Sequence, residues 1–313
     1  MKYAITILTM VMAVTANAAE IQVKPNDPIL PVGGTNLAAP VAGAGEQGFT
    51  NSLGMRFVPV PVYKGNGSSE VVGTVLMCVW QTRVKDYQAF CDATGRAWPK
   101  PSFPQTPDHP ATGVSWADAK AFCEWLSQKE GKKYRLPTDH EFSCAIGIGD
   151  KEDPNEKPSS AKTHFPDIYP WGTQWPPPPG AGNYYGTEVK EPSSPEMETL
   201  KAKHNLIGAK SKMDEKLTQI GNYHDGFVFT SPVGSFPPNK FGLYDMGGNA
   251  WQWCQDQYSG SAPGREPLYV LRGASFTSSE PLLLKSAYRS HHNTGHWSFG
   301  FRVVLDGPPS PGF

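Results

Sequence analysis

Apolar positions in this chain follow a helical period in two stretches and dissolve in two others. From Val84 to Thr94, Val84, Tyr87, Phe90 and Cys91 recur at spacings of three and four, which marks one face of a helix, and Gly95 ends it. A second helix is expected from Ser115, an N-cap residue with Asp118 three positions on. Trp116, Ala119, Phe122, Cys123 and Leu126 line its apolar face, and Gly131 stops it. A shorter third helix opens at Thr138, where Thr-x-x-Glu with Glu141 satisfies backbone donors in both directions. Gly54 to Val60 and Val71 to Trp80 read as strands.

Elsewhere the periodicity is lost. Residues 19–50, with Ala38-Ala39-Pro40-Val41-Ala42-Gly43-Ala44-Gly45, read as a flexible linker, and the Pro/Gly-rich residues 307–313 as an unstructured tail. Between 150 and 225 the chain carries Trp175-Pro176-Pro177-Pro178-Pro179-Gly180 and a charged tract from Met197 to Lys216. This predicts a long surface insertion with one polar helix over 195–219; a loop of that length is either functional or disordered.

Composition narrows the class. The 32 glycines and 31 prolines among 313 residues fall short of the content that marks disorder throughout, and 9 tryptophans with 15 phenylalanines call for a large aromatic core. At the N-terminus, Lys2, the apolar run Ile5 to Val14 and the small-x-small triplet Ala16-Asn17-Ala18 form the pattern of a signal peptide over residues 1–18. The run is shorter than the ~20 residues of a membrane span. The chain therefore reads as exported, to a periplasm or the extracellular space, with an N-terminal anchor helix as the alternative. Loss of Lys2 leaves the basic residues two fewer than the 29 acidic ones, which gives no electrostatic case for nucleic acid.

Five cysteines, at 78, 91, 123, 144 and 254, allow at most two disulfides. Cys91 and Cys123 share an Ala-Phe-Cys context on the two long helices and are the favoured pair; the alternative is five small buried side chains.

Several ordered elements carry a family resemblance. They are Val114-Ser115-Trp116-Ala117-Asp118-Ala119, Tyr134-Arg135-Leu136-Pro137-Thr138, Tyr169-Pro170-Trp171-Gly172, Gly247-Gly248-Asn249-Ala250-Trp251-Gln252-Trp253, Leu271-Arg272-Gly273-Ala274-Ser275-Phe276 and Phe299-Gly300-Phe301-Arg302-Val303-Val304. In this order they resemble the formylglycine-generating enzyme, or sulfatase-modifying factor, family over residues 51–306. The resemblance implies an α+β, C-type-lectin-like formylglycine-generating-enzyme fold, low in regular secondary structure.

It also implies where chemistry should sit. The two family cysteines fall on Ser278 and Leu283. A hydroxyl and a hydrocarbon cannot replace thiolates that hold Cu(I), so no copper and no formylglycine-generating oxidase activity are expected, the mark of a pseudoenzyme. Trp251, Trp253, Ser275 and Arg289 match the rim of the family's peptide groove; Arg289 would grip a ligand there or bond loop carbonyls instead. Two family Ca²⁺ sites map onto the chain. One uses Asn249 and Gln252, where most relatives carry an acid; the turn is alternatively an aromatic core element without a ligand. The other uses the side chains of Asn183 and Asp225 and backbone oxygens of Tyr184 and Phe227, residues that could equally cap turns. His291, His292 and His296 have spacing that could hold Zn²⁺ or Fe²⁺, or form a solvated loop.

The leading reading is an exported member without oxidase activity that binds a peptide, glycan or protein. The alternatives are a metal-dependent enzyme of altered chemistry and a structural envelope component.

Overall fold

A computed structural model describes residues 48–161, 167–188, 219–258, 264 and 266–306. The signal segment 1–18, nearly all of the linker, all but the last residue of the helix expected over 195–219 and the tail 307–313 lie outside the described residues.

The two predicted strands form one hairpin. β2 (Arg56–Gly65) and β3 (Ser68–Cys78) pair antiparallel, from Phe57 opposite Cys78 to Gly65 opposite Ser68. β1 (Phe49–Thr50) adds to β2, so ordered pairing begins inside the stretch expected to be linker. The chain's last described strand, β9 (Val304–Asp306), joins β3, and β4 (Tyr134–Arg135) closes the sheet in the order β1-β2-β3-β9-β4. A second sheet has the order β7-β6-β5-β8, from β5 (Trp251–Gln257), β6 (Tyr269–Arg272), β7 (Ser290–His292) and β8 (Phe299–Phe301). Within it β5 runs parallel to β8, Trp251 opposite Phe299.

The helices take the predicted places. α1 (Val84–Thr94) buries Tyr87, Phe90 and Cys91, and α2 (Trp116–Glu130) buries Ala119, Phe122, Cys123 and Leu126. Ser115 Oγ accepts from the Asp118 amide, and Gly131 takes the left-handed conformation that ends α2. α3 (Asp139–Ile146) has the full capping box of Thr138 and Glu141. It packs against β2, β5 and β6 and so bridges the two sheets. Short turns α4 (Pro158–Ala161) and α5 (Pro281–Leu284) are the other helical segments among the described residues.

Two apolar clusters fill the interior. One joins α1 and α2 to the second sheet through Tyr87, Phe90, Phe122, Trp253 and Phe301; the other packs Val60, Val75, Met77, Phe142, Cys254 and Val304 around α3. All five cysteines are unbonded and buried within them, including Cys91 and Cys123, the pair the sequence favoured.

The described ends of segment 150–225 depart from the expected surface insertion. Glu152, Asn183, Tyr184, Ile220 and Tyr223 are all buried. Their partners come from distant parts of the chain, so no local period reveals them.

Candidate functional site

The turn before β5 is built by close backbone approach. Gly248 has φ 85°, and a Cβ there would sit 2.6 Å from the Asn183 carbonyl oxygen. Gly273, φ 89°, faces the Met246 carbonyl oxygen at 2.7 Å from its would-be Cβ. These contacts seat Asn249, fully buried with φ 65°, between two strands of irregular chain. Its Oδ1 accepts from the Ser231 amide at 2.9 Å and its Nδ2 donates to the Ser231 carbonyl at 3.1 Å. Asn249 thus replaces a missing backbone partner in the interior.

Gln252 completes the same network. Its Oε1 accepts from Arg302 Nε at 2.9 Å, and its Nε2 donates to the Asp245 carbonyl at 3.1 Å. Arg302 is fully buried and also donates to the carbonyls of Cys78 and Tyr244. Burial holds its guanidinium down at about 10.

The four residues expected to rim a groove lie in the interior instead. Trp251 and Trp253 are 4 % and 0 % exposed, and Trp253 Nε1 donates to the Val114 carbonyl. Ser275 is fully buried, bonded to Thr277 Oγ1 at 2.9 Å. Arg289 is 2 % exposed and reaches Asp139 at 3.0 Å and both oxygens of Glu152 at 2.6 and 2.7 Å. Arg289 is thus held in the interior, by one loop carbonyl, that of Ala287, and chiefly by two carboxylates that neither expectation named. Arg272 binds Asp139 from the other side. Two guanidiniums and two carboxylates make a balanced buried cluster, and the two arginines hold the Asp139 carboxyl below its ordinary range against the effect of burial.

Ser278 and Leu283 are also buried. Ser278 Oγ accepts from the Ser275 amide at 3.1 Å and its carbonyl from the Tyr185 amide, while Leu283 packs in the first apolar cluster. Between them in the chain, Ser279 and Glu280 line a cleft of about 550 Å³ together with Trp175, Pro176, Ile220 and Gly221 among others. Ser279 Oγ is buried there without a partner, and Trp175, 39 % exposed, leans on Tyr169 at 5.5 Å between ring centroids. Sequence reasoning missed this cleft, because its walls come from positions near 175, 220 and 280.

The histidines are engaged locally. His291 stacks on Tyr258 at 4.0 Å, His292 Nδ1 accepts from the Thr294 amide, and His296 bonds Ser298. Among the described residues no three His, Cys, Asp or Glu side chains gather as a metal site. No helix among them is long and apolar enough to cross a membrane.

Residues 66–307 match the sulfatase-modifying factor enzyme 1-like domain, well over half of the chain. The chain belongs to the sulfatase-modifying factor family. The formylglycine-generating enzyme of Bos taurus is 26 % identical over 300 residues, 87 % of this chain and 65 % of that protein. The inactive C-alpha-formylglycine-generating enzyme 2 of Bos taurus is 32 % identical over 170 residues, 54 % of this chain. This chain spans just under two thirds of the first relative and 39 % of the second. PvdO from Pseudomonas aeruginosa shares the fold, with a TM-score of 0.51 at 21 % identity, covering 83 % of this chain and 98 % of that one. The α+β architecture of the family is thus present here.

The two calcium sites that family resemblance implies differ in how their residues fit. At Asn249 and Gln252 the side-chain oxygens are already taken by protein donors, and the Arg302 guanidinium stands where a cation would be repelled. These residues do not fit Ca²⁺. At the other site Asp225 Oδ2 accepts from the Tyr184 amide at 2.8 Å and Oδ1 from the Phe227 amide at 2.9 Å. Asn183, fully buried, has an unpartnered Oδ1. Burial first, and Glu188 beside it second, push the Asp225 carboxyl up to about 8. Each Asp225 oxygen takes only one amide bond, and a carboxylate beside the free Asn183 Oδ1, with no guanidinium bonded to either, suits Ca²⁺.

Proposed function

We propose that this chain is an exported, non-oxidase member of the sulfatase-modifying factor family, a module that binds a peptide, glycan or protein in the cleft beside Ser278. One observation carries the reading: no cysteine of the chain is available as a thiolate. All five are buried, with Cys78 pushed up to about 12, Cys144 to about 11 and Cys254 well above its ordinary value, each chiefly by burial. Ser278 and Leu283 offer a soft metal nothing. Export rests on the signal pattern of residues 1–18. The cleft supports binding because it joins an exposed aromatic face, the Glu280 carboxylate and the unpartnered Ser279 hydroxyl.

Ca²⁺ would be held by Asn183 and Asp225 with backbone oxygens of Tyr184 and Phe227. Its part would be structural, fixing the 183–187 and 223–227 segments next to the cleft wall at Ile220.

The decisive experiment incubates purified protein with copper, oxygen and a sulfatase-type cysteine peptide, followed by mass spectrometry. The expected product is unchanged cysteine, and bound copper stays far below one per chain. Conversion of the cysteine to an aldehyde overturns the reading.

A further inference from the structure

A second acid stands over the Asp225 turn, in a position that neither the residue pattern nor the family resemblance pointed to. Glu188 has a side chain only 5 % exposed. Its Oε1 accepts from the backbone amides of Asp225 and Gly226, the latter at 2.7 Å, and lies 2.9 Å from Nδ1 of the exposed His224. Two backbone donors and a histidine nitrogen therefore crowd one oxygen. The other oxygen, Oε2, is buried with no partner at all.

One carbonyl oxygen lies beside it. A Cβ built on Gly186 would lie 2.5 Å from Glu188 Oε2 and 2.6 Å from the Tyr223 carbonyl oxygen. Both oxygens therefore press on Gly186 so closely that no Cβ fits there, and the Tyr223 oxygen also accepts from the amide and hydroxyl of Thr187. Asn183 Oδ1 is likewise buried and unpartnered, one residue before the amide that binds Asp225. An unpartnered carboxylate oxygen in the interior is costly unless a cation meets it. Oxygen ligands alone, drawn from carboxylates, an amide and carbonyls, are what Ca²⁺ takes; Mg²⁺ favours a tighter octahedron with several waters.

We infer that Glu188 is a second carboxylate ligand of a calcium site at Asp225, reaching the ion through Oε2 while Oε1 ties the 224–226 turn. The inference rests on the calcium reading given above and adds to it a negatively charged ligand. With Glu188 the site carries two carboxylates, and ligand charge is the main lever on Ca²⁺ affinity. Glu188 also joins the chain leaving the site after Thr187 to the 224–226 turn, so the ion would fasten two segments that are far apart in sequence.

The test uses the full chain, stripped with a chelator and titrated with CaCl₂ by calorimetry, with thermal midpoints recorded with and without the ion. Wild type should bind one Ca²⁺ per chain and gain thermal stability. Glu188→Gln keeps an oxygen for the two amides but loses the charge; it should fold, bind at least tenfold more weakly and lose most of the thermal gain. Asp225→Asn should bind more weakly still. If Glu188→Gln matches wild type while Asp225→Asn is weakened, Glu188 is no ligand and the calcium reading survives. If wild type shows no binding at millimolar Ca²⁺, the calcium reading and the inference fall together.

Discussion

Arg289 and Glu152 meet as a bidentate pair, Nη1 to Oε1 at 2.6 Å and Nη2 to Oε2 at 2.7 Å, with both side chains nearly inaccessible. A fork-to-fork contact of this kind is the strongest geometry for a guanidinium and a carboxylate. Removing one partner strands the other in the interior. Arg289→Ala leaves Glu152 uncompensated and Asp139 with Arg272 alone, and should lower unfolding stability by about 3–5 kcal/mol, measured in urea. Arg289→Lys, which lacks the planar fork, should fall between the two. A variant as stable as wild type would return Arg289 to a role in ligand contact.

The thiols make a second, independent check. Five unbonded buried cysteines should react slowly with a thiol reagent in the native protein and show five equivalents after unfolding without reductant. Three equivalents would mean that a disulfide, with Cys91 and Cys123 the first candidates, forms in the protein.

His109 gives the chain a pH dependence. The ring is 2 % exposed and 2.9 Å from Thr230 Oγ1; burial pushes it down to about 4, and Asp108 opposes this in part. The folded state thus prefers neutral histidine, whereas the unfolded chain takes up a proton near the ordinary 6.5. The contribution is fully present above pH 6.5 and is lost as pH falls from there towards 4. Urea midpoints should decline over that window, and His109→Gln should flatten the decline. Equal slopes in the two proteins would remove His109 as the cause.

Trp175 separates the binding reading from a purely structural one. Its side chain is partly exposed on the cleft wall, so Trp175→Ala should change the unfolding midpoint little. Capture of whatever peptide, glycan or protein the native chain retains should drop at least tenfold. Undiminished capture would place binding on another surface.

The sequence by itself determined the three main helices and the family. Ser115 with Asp118, Thr138 with Glu141 and the glycines after α1, α2 and α3 act within a turn of their own position, so their signals are local and legible. The ordered motifs from Val114 to Val304 named the fold because each supplies a piece of one shared interior. β4, β6, β7, β8 and β9 span two to four residues each, too short for an alternation to show. Which oxygens remain free was decided only by tertiary structure. Gln252 looked like a calcium ligand until Arg302, 50 positions later, was found on its oxygen, and Arg289 looked like a groove residue until Asp139, 150 positions earlier, closed on it. Glu188, silent in the sequence, gained significance from Gly186, Tyr223 and Asp225 folding around it. A side chain's chemistry belongs to the residue, but its availability depends on partners that chain folding brings from far away.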